Sequence, residues 1–194
     1  MDRGGGTAWK QRFGGRFDRY KEGGAARTGG TWATKYGKKI IAWDIAPGEE
    51  YFAELFRVSR EQIIWGGNYF GLPPTRGFIV WDKCFAQTFT MAQAEYAWTS
   101  FDRNSRIVRI PPQGTVKKPR FHPTQKPVRL YEWIFANYAE PGMRILDTHM
   151  GSQSSRIAAG NAGLDFVGYE IDPVYFAQGE ARFREETAQT RLEI

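Results

Sequence analysis

The chain has 194 residues and 41% hydrophobic content, including 14 Phe, 9 Tyr and 7 Trp, so it can bury the core of about one domain. A single cysteine excludes an internal disulfide, and with only two histidines beside it a structural zinc site lacks ligands. No apolar run approaches the roughly 20 residues that cross a bilayer, and the first residues lack a signal-peptide pattern. We expect an intracellular, metal-free protein that does not span a membrane.

Residues 1–39 carry the whole charge excess of the chain. They hold ten Lys and Arg against three Asp and Glu, a balance of +7, whereas residues 40–194 balance at −1. Ten of the 22 glycines also lie here, and the aromatic residues follow no period of 2 or 3.6. We predict a basic, Gly-rich flexible segment. Its cations and rings suit phosphates and unstacked bases, but a solvated tail is an equal alternative.

From Ile40 onward the pattern is that of a packed domain. Phe52, Leu55 and Phe56 share one face and predict an amphipathic helix over 47–59. Apolar runs bounded by turn residues predict strands over 62–67, 77–83, 94–101 and 106–110. A Pro-bounded basic loop, 117–127, leads into a helix predicted over 128–139.

The last 50 residues predict a β-α-β-α unit. Strands are expected over 144–149 and 165–171, with a helix around 156–163 between them. Asp172 suits the N-cap of a final helix, and Pro173 suits its first position. Such a unit forces the two strands into a parallel sheet with a right-handed crossover.

The turn of this unit has the features of a nucleoside site. Gly151 follows the first strand, and Glu170 stands 19 residues later, where a carboxylate can accept hydrogen bonds from ribose hydroxyls. The turn has one glycine rather than the three that let a loop wrap around a pyrophosphate. An adenosine ligand without phosphates therefore fits better than NAD. On these two features alone, an ordinary turn and a solvated glutamate that bind no ligand are an equal alternative.

Several motifs in order resemble the DNA amino-methyltransferases, in the circularly permuted group whose cofactor motifs come last. They are FHPTQKP (121–127), ILDTHMGSQSS (145–155) and FVGYEID (166–172). Three further segments resemble a phage and bacterial adenine-specific subgroup, and the resemblance covers most of residues 40–185. These segments are IIWGGNYF (63–70), LPPTRGFIVWDK (72–83) and AWTSFD (97–102).

The resemblance implies an α/β fold with a Rossmann-like, S-adenosylmethionine-dependent methyltransferase sheet and helices on both faces. It implies methyl transfer from S-adenosylmethionine to N6 of adenine in double-stranded DNA, as in restriction-modification, in the cytoplasm of a bacterial or phage-infected cell. Residues 40–194 would form the methyltransferase domain, with 84–120 as a candidate target-recognition insert.

The resemblance also assigns site residues. Those matched to the cofactor site are Thr124, Gln125, Lys126, Asp147, Thr148, His149, Gly151, Ser152, Glu170 and Asp172. Lys126 and helix N-terminal N–H groups suit the methionine carboxylate of the cofactor. Those assigned to the target base and to DNA are Asn68, Tyr69, Arg103, Arg106, Arg109, Lys117, Lys118 and Arg120.

Some of these residues could instead have a purely structural role. In that case His149 makes a local hydrogen bond and Thr124 caps the next helix. Asn68 and Tyr69 then form a strand-end turn with a buried tyrosine. We expect Cys84 to be a small, partly buried residue, because it lacks the Pro-Cys dipeptide of cytosine C5 methyltransferases.

Two departures from the family pattern stand out. Gln153 replaces the usual glycine, and the catalytic motif Asp-Pro-Pro-Tyr is not found in this sequence. The Pro-Pro pairs at 73–74 and 111–112 lack its acidic and aromatic residues. We expect a truncation, or a start at an internal Met, that has removed N-terminal strands and the catalytic corner and lowered activity. The alternatives are a non-catalytic cofactor- or DNA-binding remnant, an N4-cytosine methyltransferase and a nucleotide-dependent oxidoreductase.

Overall fold

A computed structural model describes residues 46–85, 92–112 and 120–190, with side chains up to residue 188. These residues form two compact units. One contains the described residues up to Phe78 together with Tyr96–Arg103, and the other contains Ile79–Glu95 and the described residues from Asn104 onward. The predicted basic segment 1–39 lies outside the described residues.

The first unit packs one helix beside an antiparallel strand pair. Its elements are α1 (Glu49–Val58), β1 (Ile63–Trp65), a 3₁₀ turn (Gly67–Tyr69) and the pairing residues of β3 (Ala94–Thr99). β1 and β3 are antiparallel, with Ile63 opposite Thr99. Phe56 of α1 meets the Trp98 ring at 5.9 Å between centroids, so the apolar face predicted for this helix contacts the strand pair. The predicted helix over 47–59 and strand over 62–67 are confirmed in type.

The second unit begins with a parallel strand pair. β2 (Ile79–Asp82) and β4 (Arg106–Arg109) pair in parallel, with Ile79 opposite Arg106. Ile79, Trp81 and Val108 are buried, which explains why these short runs are apolar. The Trp81 indole N–H is satisfied by the carbonyl of Ile110 at 2.7 Å.

The predicted β-α-β-α unit is confirmed. It comprises β5 (Arg144–Asp147), α3 (Ser154–Asn161), β6 (Asp165–Gly168) and α4 (Pro173–Thr190), preceded by α2 (Val128–Tyr138). β5 and β6 are parallel, with Arg144 opposite Asp165 and Asp147 opposite Gly168. The α/β class predicted from the sequence is therefore confirmed.

Helices α2 and α3 supply much of the buried surface of this unit. Leu130, Ile134, Phe135 and Tyr138 of α2 are buried on one face, and α2 packs directly against α3. Small residues of α3, including Ala158, let the two helices approach closely. Within the ranges described, no helix has the length and apolar character to cross a bilayer.

Candidate functional site

The loop between β5 and α3 turns at a glycine that packs against His122. Gly151 has φ +49°, a conformation that residues with a side chain rarely adopt. A Cβ at this position would lie 2.9 Å from Cε1 of His122, so the backbone and the imidazole meet with no room for a methyl group. Gly151 is buried, and the loop following β5 packs at this position directly against the His122 ring.

Glu170 joins this loop to the end of β6. Its Oε2 accepts the Gly151 N–H at 2.8 Å, and its Oε1 accepts the Asp172 N–H at 2.9 Å. The ladder continues one residue beyond the strands, because Tyr169 donates its N–H to the Asp147 carbonyl at 2.9 Å. The two positions that the sequence places 19 residues apart are thus brought into direct contact.

The two aspartates of the predicted site shape the turns beside Glu170. Asp147 Oδ1 accepts the His149 N–H at 3.0 Å, and Oδ2 accepts the Ser155 hydroxyl at 2.5 Å. Asp172 Oδ1 accepts the N–H groups of Val174 and Tyr175 at 2.8 and 3.2 Å, which confirms its predicted capping of α4. These carboxylates fix the loops on which a ligand would rest.

His149 and Thr148 lie on the exposed side of the same loop. The Thr148 hydroxyl and His149 Nδ1 are 3.0 Å apart, so the local hydrogen bond weighed for His149 is present. Ser152, by contrast, is buried, and its hydroxyl contacts that of Ser154 at 3.2 Å. Ser152 therefore supports the loop from beneath.

The loop before α2 packs against this turn through His122. The His122 ring is buried, lies edge-on to Tyr175 at 4.4 Å, and approaches the Thr124 hydroxyl at 3.1 Å through Nδ1. Burial lowers the pKa of His122 to about 4 against the pull of the Glu170 carboxylate, so the ring is neutral near pH 7. The alternative in which Thr124 caps the next helix is wrong, because α2 starts after Pro127 with no side-chain cap.

Lys126 belongs to a charge cluster that the sequence did not reveal. Glu95 contacts Lys83 Nζ at 2.8 Å and Lys126 Nζ at 3.2 Å, and both ammonium groups are largely buried. Burial alone would raise the pKa of Glu95, but Lys126 and Lys83 outweigh it and hold that pKa below its ordinary value. Burial raises the pKa of Tyr131, with Asp147 and Glu95 adding to the effect. Residues 31 positions apart in sequence carry no local signal for such a cluster.

Gln153 has its side chain away from the exposed loop. It is fully buried, has φ +60°, and its amide donates to the Phe176 carbonyl at 3.3 Å while accepting from Arg156 at 2.8 Å. The glutamine that replaces the family glycine therefore fills the space between α3 and α4.

The residues predicted for the target base and DNA fall in both units. Asn68 and Tyr69 lie in the 3₁₀ turn of the first unit, where Tyr69 is 63% exposed, so the alternative of a buried tyrosine is wrong. Arg103 of the same unit lies over the Phe101 ring at 5.2 Å.

In the second unit the predicted arginines have protein partners. Arg106 contacts the Asn137 side chain, Arg109 pairs with Asp82 at 3.2 Å, and Arg120 donates to the Pro123 carbonyl at 3.0 Å. Lys117 and Lys118 lie outside the described residues. Cys84, expected to be partly buried, is exposed because it follows β2 at a turn with φ +57°.

Ile171 is an exposed apolar residue that the sequence did not predict. Ile171 is 88% exposed and lies between Glu170 and Asp172. The sequence predicts a strand over 165–171, but the strand ends at Gly168. The signal available in FVGYEID was an apolar side chain between two carboxylates.

Parts of this chain are similar to known proteins. YubD of Escherichia coli (strain K12), described as a methylase, is 33% identical over 63 residues, which is 32% of this chain and 28% of the relative. The M1.HpyAVI–SAM complex is 22% identical, with TM-score 0.46, over 75% of this chain and 70% of that one. The cytosine-N4-specific PvuII DNA methyltransferase is 14% identical, with TM-score 0.45, over 56% and 50% of the two chains.

The sequence profile of a DNA methylase family matches residues 31–181, which is well over half of the chain. The protein therefore belongs to the N6/N4 family of DNA methylases.

Proposed function

We propose that this chain binds S-adenosylmethionine at the β5–β6 end of the second unit and serves methyl transfer to N6 of adenine in double-stranded DNA. The observation that carries the proposal is the carboxylate of Glu170, which is fixed against the backbone of Gly151. This arrangement places a carboxylate that can accept ribose hydroxyls at the loop that follows the first parallel strand.

The residues at this end of the sheet fit the adenosine part of the cofactor. Each oxygen of Glu170 accepts one backbone N–H and keeps a second lone pair for a ribose hydroxyl. Ile171 offers an exposed apolar surface to the adenine ring. Gly151 has no Cβ, which lets this loop pack against the His122 ring while the Gly151 N–H is bonded to Glu170.

The lysine cluster fits the methionine part. The ammonium groups of Lys83 and Lys126 both contact the single carboxylate of Glu95. An ammonium group has three N–H donors, so Lys126 can donate to the carboxylate of the cofactor while it stays paired with Glu95. The bound cofactor supplies an electrophilic methyl group on its sulfonium.

The residues of this chain bind and orient the cofactor rather than accept the amine protons. Methylation of an exocyclic amine needs hydrogen-bond acceptors for its two hydrogens, because the nitrogen lone pair is delocalised into the base. The sequence has no Asp-Pro-Pro-Tyr motif, and no other residue is assigned that role. We expect cofactor binding with low but measurable turnover by the 194-residue chain.

The proposed partner is DNA, approached by positive charge. The balance of +7 in residues 1–39 supplies a non-specific attraction to phosphates that weakens with salt. Arg109 is 74% exposed despite its pairing with Asp82, and a phosphate can compete for its guanidinium. Residues 84–120 stay the proposed target-recognition insert.

A second candidate function is cofactor binding without methyl transfer, favoured by the missing catalytic motif. Incubating the chain with methyl-labelled S-adenosylmethionine and duplex DNA, followed by mass spectrometry of the nucleosides, separates these functions. Labelled N6-methyladenine supports the first proposal. Labelled N4-methylcytosine would instead show that the chain methylates cytosine, the other substrate of the family. Cofactor binding with no labelled nucleoside supports the second candidate.

A further inference from the structure

Arg182, on the helix farthest along the chain, touches the cofactor loop directly. Its Nη1 donates to the Ser152 carbonyl at 2.9 Å and to the Ser154 hydroxyl at 2.8 Å. Its Nε donates to Glu186 one turn later on α4 at 2.9 Å, and only 11% of the Arg182 side chain is exposed. The guanidinium is therefore held in place from behind while it faces the loop.

Ser154 links Arg182 to a second loop by a hydrogen bond. Its hydroxyl donates to the Lys126 carbonyl at 2.6 Å, accepts from Arg182 and lies 3.2 Å from the Ser152 hydroxyl. A hydroxyl has one donor and two acceptor lone pairs, so all the hydrogen-bonding capacity of Ser154 is accounted for. Since Ser154 is 2% exposed, water does not replace these partners readily.

We propose that Arg182, acting through Ser154, is a positioning residue that sets the spacing between loop 122–127 and the turn 150–153. These two segments carry Lys126 and Gly151, which the proposed function places at opposite ends of the cofactor. The inference rests on that proposed function for its affinity readout only. Arg182 itself touches neither the cofactor nor the reacting atoms.

The direct test is the dissociation constant of S-adenosylmethionine, measured calorimetrically on the full chain. Arg182→Met removes the hydrogen bonds to Ser152 and Ser154 and so leaves the Ser154–Lys126 link without its support. Losing hydrogen bonds from a charged donor is expected to weaken affinity by about tenfold. Arg182→Lys keeps one charged donor and is expected to recover part of the loss. Ser154→Ala is a milder variant, which cuts the link to Lys126 while keeping the Arg182–Ser152 contact.

One variant on the same helix acts as the matched control. Arg184→Met replaces an exposed arginine two residues away from Arg182. This variant is expected to leave the dissociation constant within about twofold, the scatter expected of surface substitutions.

Hydrogen exchange separates positioning from general stability. Arg182→Met should speed exchange of the amides at His122, Thr124, Gln125 and Lys126 more than that of β2 and β4 amides in the same unit. Unchanged relative exchange in this loop overturns the proposal, as does an affinity within twofold for both Arg182→Met and Ser154→Ala. If the unsubstituted chain binds no S-adenosylmethionine, the proposed function fails, and the exchange comparison alone decides the role of Arg182.

Discussion

The side chain of Gln153 occupies the space that Gly179 leaves open by having no Cβ. A Cβ at position 179 would lie 2.7 Å from both Cγ and Nε2 of Gln153, and Gln153 is fully buried. Gln153 is the N-cap residue of α3 and Gly179 lies on α4, and the pair fixes how closely these helices approach. A glutamine at the family glycine position is thus accommodated by a glycine elsewhere.

Substituting Gly179→Ala should therefore destabilise the fold. Overpacking a buried contact costs about 1–3 kcal/mol, which exceeds the helix preference for alanine. The free energy of unfolding from urea titration measures the effect. Gly160→Ala on α3 is the matched control, because its Cβ would meet Phe183 at an ordinary 3.8 Å, and it should be neutral or slightly stabilising.

The pair should also couple in a double-mutant cycle. Gln153→Gly relieves the positive φ and frees space, so Gly179→Ala in that background should cost about 1 kcal/mol less than in the unsubstituted chain. Additive effects within error would contradict the proposed contact.

Gly151→Ala should weaken both stability and cofactor binding. The substitution forces alanine into a left-handed conformation, at a cost of about 1–2 kcal/mol, and places its methyl group against the buried His122 ring. Gly142→Ala provides the control, since Gly142 has φ +83° but nothing within 4 Å. A greater loss of unfolding free energy for Gly151→Ala than for Gly142→Ala isolates the clash with His122.

The buried His122 predicts a specific pH dependence. Because its pKa is about 4 in the folded chain and 6.5 in the unfolded chain, the unfolded chain binds more protons between these values. The stabilisation is fully present above pH 6.5 and is lost as the pH falls towards 4, by up to about 3 kcal/mol.

Unfolding titrations at several pH values test this dependence. His122→Gln should flatten the slope between pH 6.5 and pH 4, whereas substituting the exposed His149 by Gln should leave it in place. An equal slope in both variants would assign the dependence to other groups.

Glu95 should contribute far more to stability than a surface ion pair. Glu95→Gln leaves Lys83 and Lys126 buried without their shared carboxylate, and we expect a loss of about 2 kcal/mol. Glu54→Gln breaks the exposed pair with Arg57 and should cost no more than about 0.5 kcal/mol. Thermal unfolding of the two variants side by side gives the comparison.

The regular elements were predictable because their signals are local. The face of Leu130, Ile134 and Phe135 marks α2, and Asp172-Pro173 marks the start of α4. The Gly151–Glu170 contact was also within reach, since parallel pairing of β5 and β6 brings their following loops together.

Contacts made over long sequence separations left no such signal. The Lys83–Glu95–Lys126 cluster and the link from Arg182 to Ser154 depend on tertiary packing. The end of β6 at Gly168 was missed because the apolar run continues through Ile171, which the structure exposes. An apolar side chain on the surface and one in a strand look the same in sequence.

The central claim is that Glu170 and the Gly151 loop bind S-adenosylmethionine, and calorimetric titration of the chain tests it most directly. We predict saturable binding by the unsubstituted chain and by the control variant Asp165→Ala. Asp165 has an exposed side chain at the start of β6, the strand that precedes Glu170. Glu170→Ala should lose at least about tenfold in affinity, because a charged acceptor is removed from the ribose site. No binding by the unsubstituted chain, or equal affinity in Glu170→Ala and Asp165→Ala, would contradict the account.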